Sequence, residues 1–163
     1  MKWPKLLGHY GLPYSTLKTH PMEKKFKTFE DLIIWKESMN LSIEIYKLFQ
    51  NCRDFGFRDQ IQRSSISVPS NIAEGFERQS DKEFIRSLFI AKGSNGELRT
   101  QLYLAMELSY IDKEIGLEKI EKARQISAMI YSLIKVRRNS ILKLKPLLFS
   151  LFLLPPSSFL LPL

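Results

Sequence analysis

The side chains with chemistry to offer in this 163-residue chain are cations, carboxylates and small hydroxyls. Arg78, Lys82 and Arg86 recur at every fourth residue, which on a helix stacks them into one positive ridge suited to phosphate oxygens. Asp81 and Glu83 flank the ridge, and a charge run of this length is more often only a solvated helix face. Arg58, Arg63, Arg137 and Arg138 would extend the patch if one end of the fold gathers them. Tyr103, Tyr110, Phe76, Trp35 and Tyr131 have rings on which bases can stack, although at helical spacing they read first as core or interface residues. Ser64, Ser65, Ser67, Ser70 and Asn71 crowd around Pro69. They form either a recognition surface or polar layer that specifies assembly, or small residues that repair a proline-disturbed backbone and let helices pack; the repair reading is favoured. Glu74, if buried, needs a cationic partner, with Arg63 or Arg99 the candidates; otherwise it is a solvated carboxylate near a helix end.

Most catalytic schemes fail on composition. The only histidines, His9 and His20, precede the patterned region, which removes a helical di-iron site, Ser-His-Asp and Cys-His nucleophiles, and an arginine–histidine ribonuclease motif from the folded part. No phosphate-binding loop of P-loop spacing is present. A single cysteine, Cys52, excludes an internal disulfide and a cysteine-cluster zinc site, and fits a reducing compartment such as the cytoplasm. An enzyme would have to rest on an inward pocket containing Glu74, Glu97 or Glu107. The expectation is a non-enzymatic protein with no catalytic residue, no metal and no cofactor.

The elements that must position these residues are helices. Apolar residues step by three and four through Phe29, Leu32, Trp35, Met39, Ile43, Tyr46 and Phe49, predicting helix one from Phe29 to Gln50, with Thr28 and Asp31 as a weak capping box. After a connector from Asn51 to Phe57, helix two is predicted from Arg58 to Phe76 along Ile61, Ser65, Val68, Ile72 and Phe76. Pro69 should kink it, neighbouring serines should serve the freed carbonyls, and Gly75 is placed as a C-cap. Ser80 and Glu83 form a full capping box for helix three. One stripe of that helix runs through Phe84, Leu88, Ala91, Asn95, Leu98, Leu102 and Ala105 to Ser109, and a second through Ile85, Phe89, Gly96, Tyr103 and Leu108. Gly93 and Gly96 each cost about 1 kcal/mol against alanine and are expected to admit a close helix. Helix four is predicted from Leu117 to Ser140 along Ile120, Ala123, Ser127, Ile130 and Ile134, with Ile126, Met129, Leu133 and Val136 beside them. The fold class is therefore all-α, an antiparallel up-down-up-down four-helix bundle over 26–140 with unstructured N- and C-terminal tails. Helices three and four each carry more apolar surface than one interior needs, which predicts self-association.

Residues 1–25 lack any period and read as a tail, and Met22, directly before the patterned region, is the expected natural start. Residues 141–163 read as an apolar, proline-rich tail whose longest proline-free run in the leucine-rich stretch, Leu147 to Leu154, is too short for stable membrane insertion. The net charge of +8 is concentrated in the two ends: residues 26–138 hold 18 Lys and Arg against 16 Asp and Glu, or +2. A single bundle is thus close to neutral.

The segment RSSISVPSNIAEGFERQSDKEFIRSLFIAKGSNGEL, Arg63 to Leu98, resembles the four-helix-bundle proteins encoded in 23S rRNA intervening sequences. Its core is Pro69, Ser70, Asn71, Ile72, Ala73, Glu74 and Gly75. FEDLIIWKESMNLSIEIYKLF, Phe29 to Phe49, is similar to that family's opening helix, and LYLAMELSYI, Leu102 to Ile111, to the close of its third. The resemblance covers residues 26 to 138 and implies an antiparallel bundle, a homo-oligomer that in some members is a pentameric barrel, and, by similarity to the accessory bundle protein of diversity-generating retroelements, contact with a reverse transcriptase and nucleic acid. That relative's assembly is strongly basic and this core is not. Asn95-Gly96 also stands where relatives carry larger, helix-favouring residues.

The reading that results is an oligomeric scaffold or adaptor associated with structured RNA or a nucleic-acid enzyme. The alternative is a purely structural protein–protein interaction module.

Overall fold

A computed structural model describes residues 26–78 and 80–152, and the expectations placed on 1–25, Met22 and 153–163 lie outside them. Four helices make up the fold: α1 (Ile33–Leu48), α2 (Phe55–Glu77), α3 (Asp81–Glu107) and α4 (Lys113–Phe152). Each packs on its sequence neighbours, and α4 closes against α1. Ser64 meets Gln101 and Ser67 meets Ser94, so α2 and α3 run antiparallel; Asp81 meets Arg137 and Tyr103 meets Arg124, so α3 and α4 do too. This is the expected all-α four-helix bundle. Its interior is a continuous cluster from Leu32 through Ile45, Ile61, Ile72, Leu88, Leu102 and Ile120 to Ile134. Burying one such side chain fully contributes about 1.5–3 kcal/mol.

Helix starts differ from the sequence expectation where a side chain decides them. Thr28 and Asp31 do form a box, with Asp31 accepting from the Lys27 and Thr28 amides at 3.0 and 3.3 Å. They cap a 3-10 turn, Phe29–Asp31, and extended Leu32 then separates that turn from α1. α2 begins at Phe55, before the predicted Arg58, because Asp54 accepts from the Phe57 amide at 2.9 Å as an N-cap. That amide, then the Tyr110 hydroxyl at 3.0 Å, holds the Asp54 carboxyl below its ordinary range. Ser80 makes no capping hydrogen bond, so the predicted box is not closed at α3. At the other end of α3, Ser109 adopts φ 56° and the Tyr110 amide reaches the Ala105 carbonyl at 2.8 Å, a Schellman closure built without the usual glycine. α4 starts at Lys113 and runs past the predicted Ser140 to Phe152, so the boundary set at 141 falls inside a helix.

The buried face of α1 is Ile34, Ser38, Leu41, Ser42 and Ile45, with Phe49 following. Ile43 and Tyr46, which the sequence stripe placed inward, are 45% and 43% exposed. Two serines on the core face made the apolar period point to the wrong side. They are there for packing and hydrogen bonding: Ser42 Oγ lies 2.8 Å from the Ser65 carbonyl of α2. That carbonyl is the one left without its helical donor by Pro69. The donor therefore comes from α1, which corrects the expectation that Ser64, Ser65 or Ser67 would supply it. Gly75 is not a C-cap either. It sits inside α2, where an added Cβ would stand 2.5 Å from Ser87 Cβ, so it is the close-approach glycine between α2 and α3. Among the described residues, Gly93 and Gly96 face open space, with nothing within 4 Å of an added Cβ, and no helix closes against them.

Candidate nucleic-acid interface

The antiparallel topology separates the seven predicted cations. Arg58 and Arg78 lie 20 residues apart along α2, about 30 Å at 1.5 Å per residue, so Arg58 cannot join the end that holds Arg78. Arg58 instead rests over the Phe55 ring at 4.7 Å and lines an open cleft with Tyr46, Lys47, Gln50 and Gln62. Arg63 bonds Gln60 at 3.1 Å in the helix middle. The other five gather: the end of α2, the start of α3 and the 137–138 turn of α4 bring Arg78, Lys82, Arg86, Arg137 and Arg138 to one bundle end.

Their electrostatics differ. Arg78 is held by Glu74 at 2.5 Å and by Glu83 at 3.4 Å. Glu74 is therefore an exposed surface partner of Arg78; it is neither buried nor paired with Arg63 or Arg99. Arg137 bonds Asp81 at 3.0 Å and lies 5.3 Å from the centre of the Phe84 ring. Lys82, Arg86 and Arg138 have no carboxylate partner among the described residues. Arg138 is placed by a ring, with its guanidinium carbon 5.5 Å from the centre of Phe89.

From that end, the surface between α3 and α4 continues in the same style. Lys135 Nζ lies 4.8 Å from the Tyr131 ring centre, and Arg124 donates to the Tyr103 hydroxyl at 2.9 Å. Lys92 and Arg99 stand between these couples on α3. Sequence reasoning named Tyr103 and Tyr131 but missed Phe89, Lys92, Arg99, Arg124 and Lys135 as part of a face. The signal was present as steps of three and four in Phe89, Lys92, Gly96, Arg99 and Tyr103. Of the other rings considered for stacking, Trp35 and Phe76 are half-buried against the core and Tyr110 is committed to Asp54.

The serine cluster is structural. Ser64 Oγ meets the Gln101 side-chain amide at 2.5 Å, Ser67 meets Ser94 at 2.9 Å, and Asn71 Nδ2 bonds the Ser67 carbonyl at 2.8 Å. Ser70 bonds the Ile66 carbonyl of its own helix at 2.8 Å. Fully buried Asn95 adds a tie to α4, donating to the Ala123 carbonyl at 2.6 Å and to Ser127 Oγ at 2.8 Å. The motif of Pro69, Ser70, Asn71, Ile72, Ala73, Glu74 and Gly75 thus serves helix packing, with Ile72 and Gly75 buried and only Glu74 and Ser70 exposed. Glu74, Glu97 and Glu107 are all exposed and form no inward pocket. Among the described residues no cluster of His, Cys, Asp and Glu could hold a metal ion. No described helix is long and apolar enough to cross a membrane.

A family model described as 23S rRNA-intervening sequence protein matches residues 30–132. A solved structure of a protein of unknown function from the S23 ribosomal protein family of Bacteroides thetaiotaomicron is similar at 28% identity and a TM-score of 0.60, covering 63% of this chain and 99% of that one. No functionally curated protein matches the chain.

Proposed function

Because the chain belongs to the family of 23S rRNA-intervening sequence proteins, we propose that it is a non-catalytic, oligomeric helical-bundle scaffold that associates with structured RNA. The observation that carries this reading is the cluster of Lys82, Arg86 and Arg138, cations on one bundle end without carboxylate partners among the described residues. Phosphate contacts need cations that are not already neutralised. One near-neutral subunit offers only a few, and a ring multiplies them by its symmetry. A pentameric ring is the form the family resemblance suggests, and a nucleic-acid enzyme such as a reverse transcriptase is the protein partner it suggests. The cytoplasm is the compartment a lone cysteine suits best.

The test is a titration of a labelled RNA hairpin at two salt concentrations. The wild-type chain binds at low salt and weakens as salt rises. Lys82→Ala with Arg86→Ala removes two phosphate contacts per subunit, so the slope of log K against log salt becomes shallower by about 1.8 for each subunit engaged. No detectable binding at low salt defeats the RNA half of the proposal. A protein-interaction module without RNA is the second reading. It is favoured by the apolar outer face of α3, where Ile90, Leu104 and Leu108 are exposed.

A further inference from the structure

We propose that the face between α3 and α4 is a binding site for unpaired, single-stranded nucleotides, whose bases stack on its rings while its cations hold the phosphates. The inference rests on the RNA reading above and names the form of RNA that this face takes. Phe89, Gly96 and Tyr103 recur at seven-residue steps on α3, so the two rings are about 21 Å apart with the glycine between them. On α4, Tyr131 lies midway between Arg124 and Arg138, the residues that meet Tyr103 and Phe89. Ring stations therefore follow one another about every 10 Å along the groove. Each ring carries its own cation: Arg124 at 2.9 Å from the Tyr103 hydroxyl, Lys135 at 4.8 Å from the Tyr131 centre and Arg138 at 5.5 Å from the Phe89 centre.

Three further features suit a threaded strand. All three rings are exposed, at 43%, 47% and 44% for Tyr103, Tyr131 and Phe89, so they are not needed to close the core. Gly96 leaves the groove floor open, since an added Cβ there meets nothing within 4 Å. Arg99, on the same face, has a buried Nε with no hydrogen-bond partner among the described residues. Carboxylates hardly oppose the site: Glu121, 3.4 Å from Arg124, is the one paired with any of its cations among the described residues. A duplex would offer this face phosphates but keep its base faces stacked inside the helix, leaving the rings unused. A single strand offers both. A protein partner would be expected on the outer face of α3, where Ile90, Leu104 and Leu108 are exposed, not where each ring has a cation beside it.

The experiment compares a labelled ten-nucleotide single-stranded RNA with a blunt RNA duplex, by fluorescence anisotropy on the full chain. The single strand should bind more tightly. Tyr103→Ala with Tyr131→Ala should weaken it at least tenfold while leaving the salt slope unchanged, because no charge is removed. Gly96→Leu should also weaken it, by filling the groove, while the thermal midpoint stays level or rises because the side chain meets open space. If strand and duplex bind equally and neither variant changes either, whereas Lys82→Ala with Arg86→Ala weakens both, the stacking site is refuted and the RNA association stands. If neither RNA binds at low salt, the association fails and this site fails with it.

Discussion

Pro69 leaves the Ser65 carbonyl without its helical donor, and the hydroxyl that meets it belongs to Ser42 on α1. Ser42 Oγ lies equally close to the Ser38 carbonyl, but that group already has its own helix amide, so the need is on the Ser65 side. Removing the hydroxyl strands a buried acceptor, and Ser42→Ala should cost about 1–3 kcal/mol. The effect is specific to the proline. In a Pro69→Ala background the restored amide can reclaim the Ser65 carbonyl, and the cost of Ser42→Ala should fall by about 1 kcal/mol or more. Urea denaturation of the four variants measures this coupling, and purely additive effects would show that the hydroxyl serves something else. At this scale the sequence is a poor guide, because a hydroxyl or amide carries no sign of its partner. The crowd of serines around Pro69 suggested local backbone repair, but the repairing group lies 23 residues earlier in the chain than the carbonyl it serves. Buried Asn95 pairs with α4 across a gap of 32 residues to Ser127, beyond the reach of any local pattern.

Helices were the most legible part of the chain, and their errors have local causes. The long apolar periods of α2, α3 and α4 placed those elements and their inner stripes, because aliphatic residues recur there at helical spacing even though Ser64, Ser65, Ser87, Ser94 and Asn95 share the buried side. α1 was read on the wrong face in its second half because Ser38 and Ser42 occupy core positions. α2 was started late because Asp54 caps it from within what looked like a connector. Glycines show the same limit: all are alike in sequence, but only some have a neighbour. Gly75 lies 3.1 Å, through an added Cβ, from Phe84 Cδ2 and closer still to Ser87, so Gly75→Ala must push α2 and α3 apart and should destabilise the bundle by about 1–3 kcal/mol. Gly93 sits in an ordinary helical conformation with open space beside it, and Gly93→Ala should stabilise the fold by about 1 kcal/mol. Thermal and urea unfolding of the two variants should move in opposite directions. A destabilising Gly93→Ala would mean that a helix from another subunit already lies against that position.

The whole bundle determines which charges meet, and this is why the candidate site was only half legible. Seven cations were named from the sequence, but antiparallel packing sends Arg58 to the far end and brings Arg137 and Arg138 back beside Asp81 and Phe89. The couples between α3 and α4 join residues separated by 21 positions for Tyr103 with Arg124 and 49 for Phe89 with Arg138, so only the fold could assemble them. The outer side of α3 is different in kind. Ile90, Leu104 and Leu108 are 49%, 48% and 47% exposed and share one helical face with Gly93, away from every core contact. Exposed aliphatic side chains grouped on one helix face, with Arg86 and Glu97 among them, on a bundle whose interior is already filled are the natural place for a second copy to bind. Ile90→Glu with Leu104→Glu should therefore reduce the mass measured by light scattering to the single-chain 19.1 kDa, with the helical circular dichroism spectrum retained because neither side chain supports the core. A wild-type chain that already scatters as 19.1 kDa would remove the oligomer from the proposal and leave each bundle to bind RNA with only its own few unpaired charges.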